Sequence, residues 1–192
     1  MANRRLVHTT DLARAIVVVA VASLAWTGSG CNTPPPEDTP TVPEFEKRIA
    51  AYLDLQKKTI ADLPALKNTD DPNEITAREV AMGNAIRAAR VNAKQGDIII
   101  PETAAYLRKL IKEDVQSRTA PERKTMKDEI PAFQPSVNMT YPPEHPLATF
   151  PATLLKIMPT LPEGLEYRLL SNALIIRDIK ANIIIDYILD VF

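Results

Sequence analysis

Prolines set the boundaries along this chain. Seventeen are spread over 192 residues, against five glycines. Each removes a backbone donor and fixes φ, so helices begin at prolines or stop before them. Pro43 suits the first turn of a helix over Phe45 to Leu63, in which Phe45, Ile49, Tyr52, Leu53, Ile60 and Leu63 form the apolar stripe. Pro64 ends that helix. Asp71-Pro72-Asn73-Glu74 then places an N-cap acid, an N1 proline and an N3 glutamate ahead of a second helix. Its expected inner face is Ile75, Val80, Ala81, Ile86, Ala89 and Ala93. Arg78, Arg87, Arg90 and Lys94 fall outside, and Gly96 closes the C-terminus. The two helices read as an antiparallel hairpin joined by Lys67 to Asp71.

Ile98 to Ile100 is a β-branched run at the core edge. Pro101-Glu102 opens a third helix to about Gln116, with Ala105, Tyr106, Leu107, Leu110, Ile111 and Val115 as its apolar set. Thr119-Ala120-Pro121-Glu122 is a capping box that starts a short helix to about Asp128. Residues 130–148 are proline-rich and read as an extended connector. Thr149 to Met158 reads as a short helix burying Leu154, Leu155, Ile157 and Met158. The apolar period then changes. Tyr167 to Leu170, Leu174 to Ile176 and Ile183 to Ile188 are short Ile/Leu-rich runs, separated by Ser171-Asn172 and by Lys180-Ala181-Asn182. The fold class expected is α+β: an N-terminal helical hairpin or bundle packed with a small C-terminal three-stranded antiparallel meander, in one domain over 43–192.

The N-terminus carries targeting information. Arg4, Arg5 and Arg14 precede the apolar segment Ala15 to Trp26, which ends in Thr27-Gly28-Ser29-Gly30-Cys31. Twelve residues rise only about 18 Å as a helix, short of a hydrocarbon core about 30 Å thick. A secretory signal fits that length. Ser29 and Gly30 suit the positions before a lipidated cysteine, although Gly28 stands where such signals usually carry Leu, Val or Ile. The expected reading is a signal peptide over 1–30 and lipidation of Cys31, with the membrane as partner through that lipid. Cleavage after Ala22 or Ala25 is the alternative, giving a soluble exported protein. Residues 31–42 hold four prolines and read as a disordered, polyproline-like tether.

Composition removes most catalytic classes. Without residues 1–30 the chain has 20 Lys+Arg against 23 Asp+Glu. No run is strongly basic, so nucleic acid is not an expected partner. The remaining glycines, Gly83, Gly96 and Gly164, write no phosphate loop and no nucleophile elbow. One histidine, His145, and one cysteine, Cys31, remain. They exclude disulfides and metal or haem sites built on several His and Cys ligands within one chain, and no cofactor is expected.

Several landmarks carry a resemblance. They are Phe45-x-x-Arg48, Tyr52-x-x-Leu55, Arg87-Ala88-Ala89-Arg90, Gln95-Gly96-Asp97-Ile98, Tyr141-Pro142, the run Leu161-Pro162-Glu163-Gly164-Leu165-Glu166-Tyr167-Arg168, and Leu174-Ile175-Ile176-Arg177-Asp178-x-x-Ala181-Asn182-x-x-x-Asp186. Over about residues 44–190 the chain resembles an uncharacterised family of exported bacterial proteins. That likeness implies export and a shared fold, and no chemistry. The tail is also similar to a short β module ending several small periplasmic proteins, a nickel/cobalt-homeostasis group among them, and carries no function from it.

The residues left as binding candidates are His145, on the proline-rich connector beside Glu144, and Asp178 and Asp186, at the two ends of the last hairpin connection. Paired carboxylates serve acid–base chemistry or hard cations. At turns and edges they are expected to be solvated or paired with Arg177 or Arg168. Arg87 and Arg90 read as a solvated helix face. The function expected is a non-catalytic binding domain of the cell envelope with a possible envelope protein partner. The alternatives are a carboxylate-based envelope hydrolase and a weak metal-binding periplasmic protein.

Overall fold

The computed structural model describes residues 41–64 and 69–192. The expected signal segment, Cys31, the expected tether up to residue 40 and part of the first helix–helix loop lie outside the described residues. Among those described, no helix is long and apolar enough to cross a membrane.

Among the described residues five helices precede the sheet: α1 (Thr41–Ala61), α2 (Pro72–Ala89), α3 (Pro101–Ser117), α4 (Ala120–Glu129) and the single turn α5 (Ala152–Leu155). The strands are β1 (Leu165–Leu170), β2 (Ala173–Asp178) and β3 (Ile183–Leu189), in spatial order β1-β2-β3 with antiparallel pairing. This is the α+β architecture expected. α1 begins at Thr41, so the last two residues assigned to the tether belong to the helix. Pro43 sits in the first turn, where N–H groups have no intrahelical partner. Asp71 caps α2 by accepting from the Asn73 N–H at 2.9 Å.

Thr119 and Glu122 form the full capping box of α4, each side chain bonding the other residue's N–H. Thr119→Ala is expected to cost about 1 kcal/mol, read as a lower urea midpoint. An unchanged midpoint would mean that α4 contributes nothing to the cooperative unit.

The helix faces differ from expectation in places. α2 buries Met82, Gly83 and Ile86, while Ile75 and Val80 are about half exposed. The cause is Gly83: a Cβ there would stand 2.9 Å from the Ala181 carbonyl oxygen, so the helix meets the sheet end along its glycine. α2 also stops at Ala89, with Arg90 as its C-cap. Gly96 keeps a positive φ of 89° but shapes the following loop rather than ending the helix. α3 buries Thr103 and Ala104 and leaves Ala105 outside. Leu155, expected in the core, is 56% exposed because α5 is a single turn that turns only Leu154 inward.

The sheet is covered on both faces. Leu165, Tyr167, Leu169, Leu174, Ile176, Ile183, Ile185 and Ile188 join the helices in the main core. Leu170, Ile175 and Ile184 face the connector, packed with Tyr141, Phe133 and Tyr187. Strands buried on both sides read as continuous apolar runs, which accounts for Ile183-Ile184-Ile185. The connector also lies along the outer edge of β3. Asn138 N–H donates to Ile184 O, Ile184 N–H to Met139 O, and Tyr141 N–H to Asn182 O. That edge is thereby protected from other chains.

Candidate functional site

The two carboxylates singled out in the sequence are both fully buried, contrary to the solvated or arginine-paired state expected of them. The helical side is the reason: α1 and the α2–α3 loop pack over the hairpin and bring donors to both carboxylates. On β2, Asp178 accepts from the Tyr52 hydroxyl at 2.6 Å, from Gln56 Nε2, and from the Ala181 N–H at 3.1 Å. Arg177 turns away and bonds Glu166 and Asn182 instead. Burial and the adjacent Asp178 carboxylate push the Tyr52 phenol upward, so Tyr52 is a neutral donor.

Asp186 sits at an irregularity of the ladder. Ile176 pairs with Asp186 and Arg177 with Ile184, leaving Ile185 as an extra residue on β3. The carboxylate turns toward the loop between α2 and α3. It accepts from Gly96 N–H at 3.0 Å, from Ile98 and Ile99 N–H at 2.8 Å each, and from its neighbour Tyr187 at 2.8 Å. The positive φ of Gly96 bends the loop so that these amides converge, a nest closed by a side-chain anion. Burial pushes the Asp186 carboxyl above its usual range, and the four amides pull it back toward it.

Arg90, expected on a solvated face, is buried beside this pair. It donates to Ile185 O at 2.9 Å, the carbonyl of the extra residue, and to Asn138 Oδ1 at 2.9 Å, while Asn138 Nδ2 returns a bond to Arg90 O. Its guanidinium lies 5.1 Å from the centre of the Tyr52 ring. Asp178 and Asp186 therefore belong to one polar layer between helices and sheet, whose donors come from α1, the α2–α3 loop and the hairpin itself. Neither lines the clefts described below. His145 lies apart, half-buried on the connector and stacked on Phe133 with ring centres 4.6 Å apart. Arg87 bonds Thr140 and Asn84.

Sequence reasoning missed Tyr52, Gln56, Arg90 and Asn138 as members of this layer. One signal was present: an aspartate directly after three isoleucines on a strand must be buried, and a buried carboxylate needs donors. Among the described residues, no group of three or more His, Cys, Asp or Glu side chains gathers as a metal site.

Two surface clefts lie nearby. One, of about 390 Å³, runs between α1 and the α2–α3 loop and is lined by Arg48, Tyr52, Arg90 and Asp97 among others. Arg48 bridges its mouth by donating to Asp97 O at 2.8 Å. The other, of about 410 Å³, lies at β1, between residues 149–150 and 159–161. Its floor carries Glu166, Tyr167 and Arg168, and its walls Phe150, Leu155 and Leu161. Glu166 accepts from Arg168 Nη2 and from Arg177 Nη1, the latter at 2.7 Å. This volume is that of a small-molecule or short-peptide site.

Burial alone would raise the Glu166 pKa, but the two guanidinium groups outweigh it and hold the carboxyl below the usual glutamate range. A carboxyl lowered in the fold adds stability above its unfolded pKa of about 4.3 and loses it as pH falls through the folded value. The wild type is therefore expected to lose more stability below about pH 4.5 than Glu166→Gln does. Urea midpoints measured from pH 7 to pH 3 check this, and parallel curves would contradict it. Asp186 contributes with the opposite sign: its raised pKa gives stability at low pH that fades as pH rises through the folded value.

No protein-family model, no curated protein and no solved structure matches the chain.

Proposed function

We propose that this chain is an exported cell-envelope protein, tied to a membrane through lipid on Cys31, whose domain binds a partner and catalyses no reaction. The anchor rests on the cationic, apolar and small-residue succession before Cys31 and on the proline-rich stretch after it. The resemblance to an exported bacterial family points the same way. The observation that carries the binding reading is the use made of Asp178 and Asp186. These two carboxylates, on which acid–base chemistry would depend, have their oxygens taken by seven donors of the fold and are 0% exposed. A general acid or base must reach a substrate proton. The cleft beside β1 offers a recognition surface in their place: an apolar wall, two threonine hydroxyls and an ion pair.

Photo-crosslinking in cells tests this reading. With the crosslinker at Leu155, one envelope component is expected to be captured repeatedly, and with it at exposed Lys57, none. Turnover of an ester, glycoside or phosphoester by the purified domain, abolished in His145→Ala, would overturn it.

A further inference from the structure

The β1 strand has one paired side and one side that faces the cleft, and the ladder identifies which main-chain groups point there. Ile179 N–H donates to Gly164 O, which makes Gly164 and Ile179 a hydrogen-bonded pair of the antiparallel ladder. Alternation then assigns Glu166, Arg168 and Leu170 to the β2 side and turns the N–H and C=O of Leu165, Tyr167 and Leu169 outward. The Leu165 N–H is taken by Pro162 O at 3.2 Å. The N–H and C=O of Tyr167 have no partner among the described residues, although Tyr167 is only 4% exposed. Tyr167 lies in the cleft floor, so these main-chain groups are open to a partner that enters there.

The cleft also has a charge bias. Glu166 is shared by Arg168 and Arg177, so one positive charge is left over. Arg168 Nη1 reaches Ala148 O at 2.7 Å, while its Nε is buried without a partner. The walls limit what can enter. Ala148 is held at the connector face of β1, and two residues later Phe150 stacks on Tyr167 at the helix face, ring centres 5.9 Å apart. The chain thus crosses the β1 edge there. On the other side, Tyr167 Oη donates to Pro159 O at 3.0 Å and fixes the second wall. A second copy cannot lay its own β1 along an edge crossed in this way.

We propose that this cleft binds a short extended peptide bearing a carboxylate. Its main chain exchanges hydrogen bonds with Tyr167, adding a brief strand to the sheet edge. Its carboxylate meets the guanidinium of Arg168, and its apolar side chains lie against Phe150, Leu155 and Leu161. This rests on the binding reading above and names the class of ligand.

The probe is a pool of N-acetylated, C-amidated tetrapeptides with glutamate second and apolar residues elsewhere, titrated into the ¹⁵N-labelled mature chain. Amide shifts are expected at Phe150, Thr160, Leu161 and Tyr167. Glutamine in place of glutamate, or N-methylation of the peptide main chain, is expected to weaken binding about tenfold or more. Arg168→Gln is expected to do the same. If that variant unfolds, Leu155→Glu, at an exposed wall position, places a repelling charge in the cleft and is expected to abolish the shifts. Absence of shifts in the wild type, or equal binding of the N-methylated pool, would overturn the proposal. Crosslinks from Leu155 to a non-peptide component would overturn the peptide class while leaving the binding reading standing. Absence of any Leu155 crosslink would count against that reading instead.

Discussion

Asp186→Asn is expected to destabilise the domain by about 3 kcal/mol or more, despite changing only one atom. Four amide N–H groups point at the two carboxylate oxygens. Asparagine replaces one oxygen by an NH₂ that faces donors, so two amides lose their acceptor where water cannot replace it. Each buried unsatisfied donor costs about 1–3 kcal/mol, and the two are not strictly additive. Removing the negative charge returns part of the desolvation that raises the Asp186 pKa, which offsets some of that loss. For a domain of this size a loss of 3 kcal/mol lowers Tm by roughly 6–12 °C. Thermal unfolding checks this, and a Tm within a degree of wild type would show that the amides do not depend on the carboxylate. Faster hydrogen exchange at Gly96, Ile98 and Ile99 would locate the damage in the α2–α3 loop.

Gly83→Leu is the second large effect, from packing rather than polarity. A glycine in mid-helix costs about 1 kcal/mol relative to alanine, so its presence in α2 needs a local reason. The reason is the Ala181 carbonyl, 2.9 Å from where a Cβ would stand, with Ile183 Cγ2 at 3.4 Å. The obstacle is backbone, held within the turn that also donates the Ala181 N–H to Asp178. Even Gly83→Ala must move that turn, so its gain in helix propensity is expected to be lost. Gly83→Leu forces α2 off the sheet and is expected to cost about 3 kcal/mol. Guanidinium unfolding of the three proteins should rank glycine first, alanine close below and leucine last. Alanine above glycine would show that helix and sheet are not in close contact there.

Much of the fold was legible because proline and capping chemistry act locally. Pro72, Pro101 and Pro121 mark helix starts, and Thr119 with Glu122 forms the box its spacing implies. Ser171-Asn172 makes the β1–β2 turn, with Ser171 at a φ of 47°. What could not be read depends on contacts distant in sequence. Ile75 and Val80 fit the periodicity of α2 as well as Met82 does, and only the approach of residue 181 to Gly83 selects the face.

The same holds for the candidate site. Asp178 and Asp186 read as exposed because the hairpin alone has a free face, and burial comes from α1 and the α2–α3 loop packing over it. Tyr52, spaced as a core residue, does lie in the core, yet nothing local says that its hydroxyl meets a carboxylate 126 positions on. The cleft beside β1 required the hydrogen-bond phase of the ladder and the crossing at residues 148–150, neither of which is encoded in a motif.

The proposal that this is a tethered binding domain depends first on where the domain is held. Intact mass spectrometry of the protein extracted from membranes, with Cys31→Ala alongside, measures that directly. The account predicts a mature chain beginning at Cys31 with a diacylglyceryl addition, and a Cys31→Ala protein released to the soluble fraction. A wild-type chain beginning after Ala22 or Ala25 without lipid would contradict it.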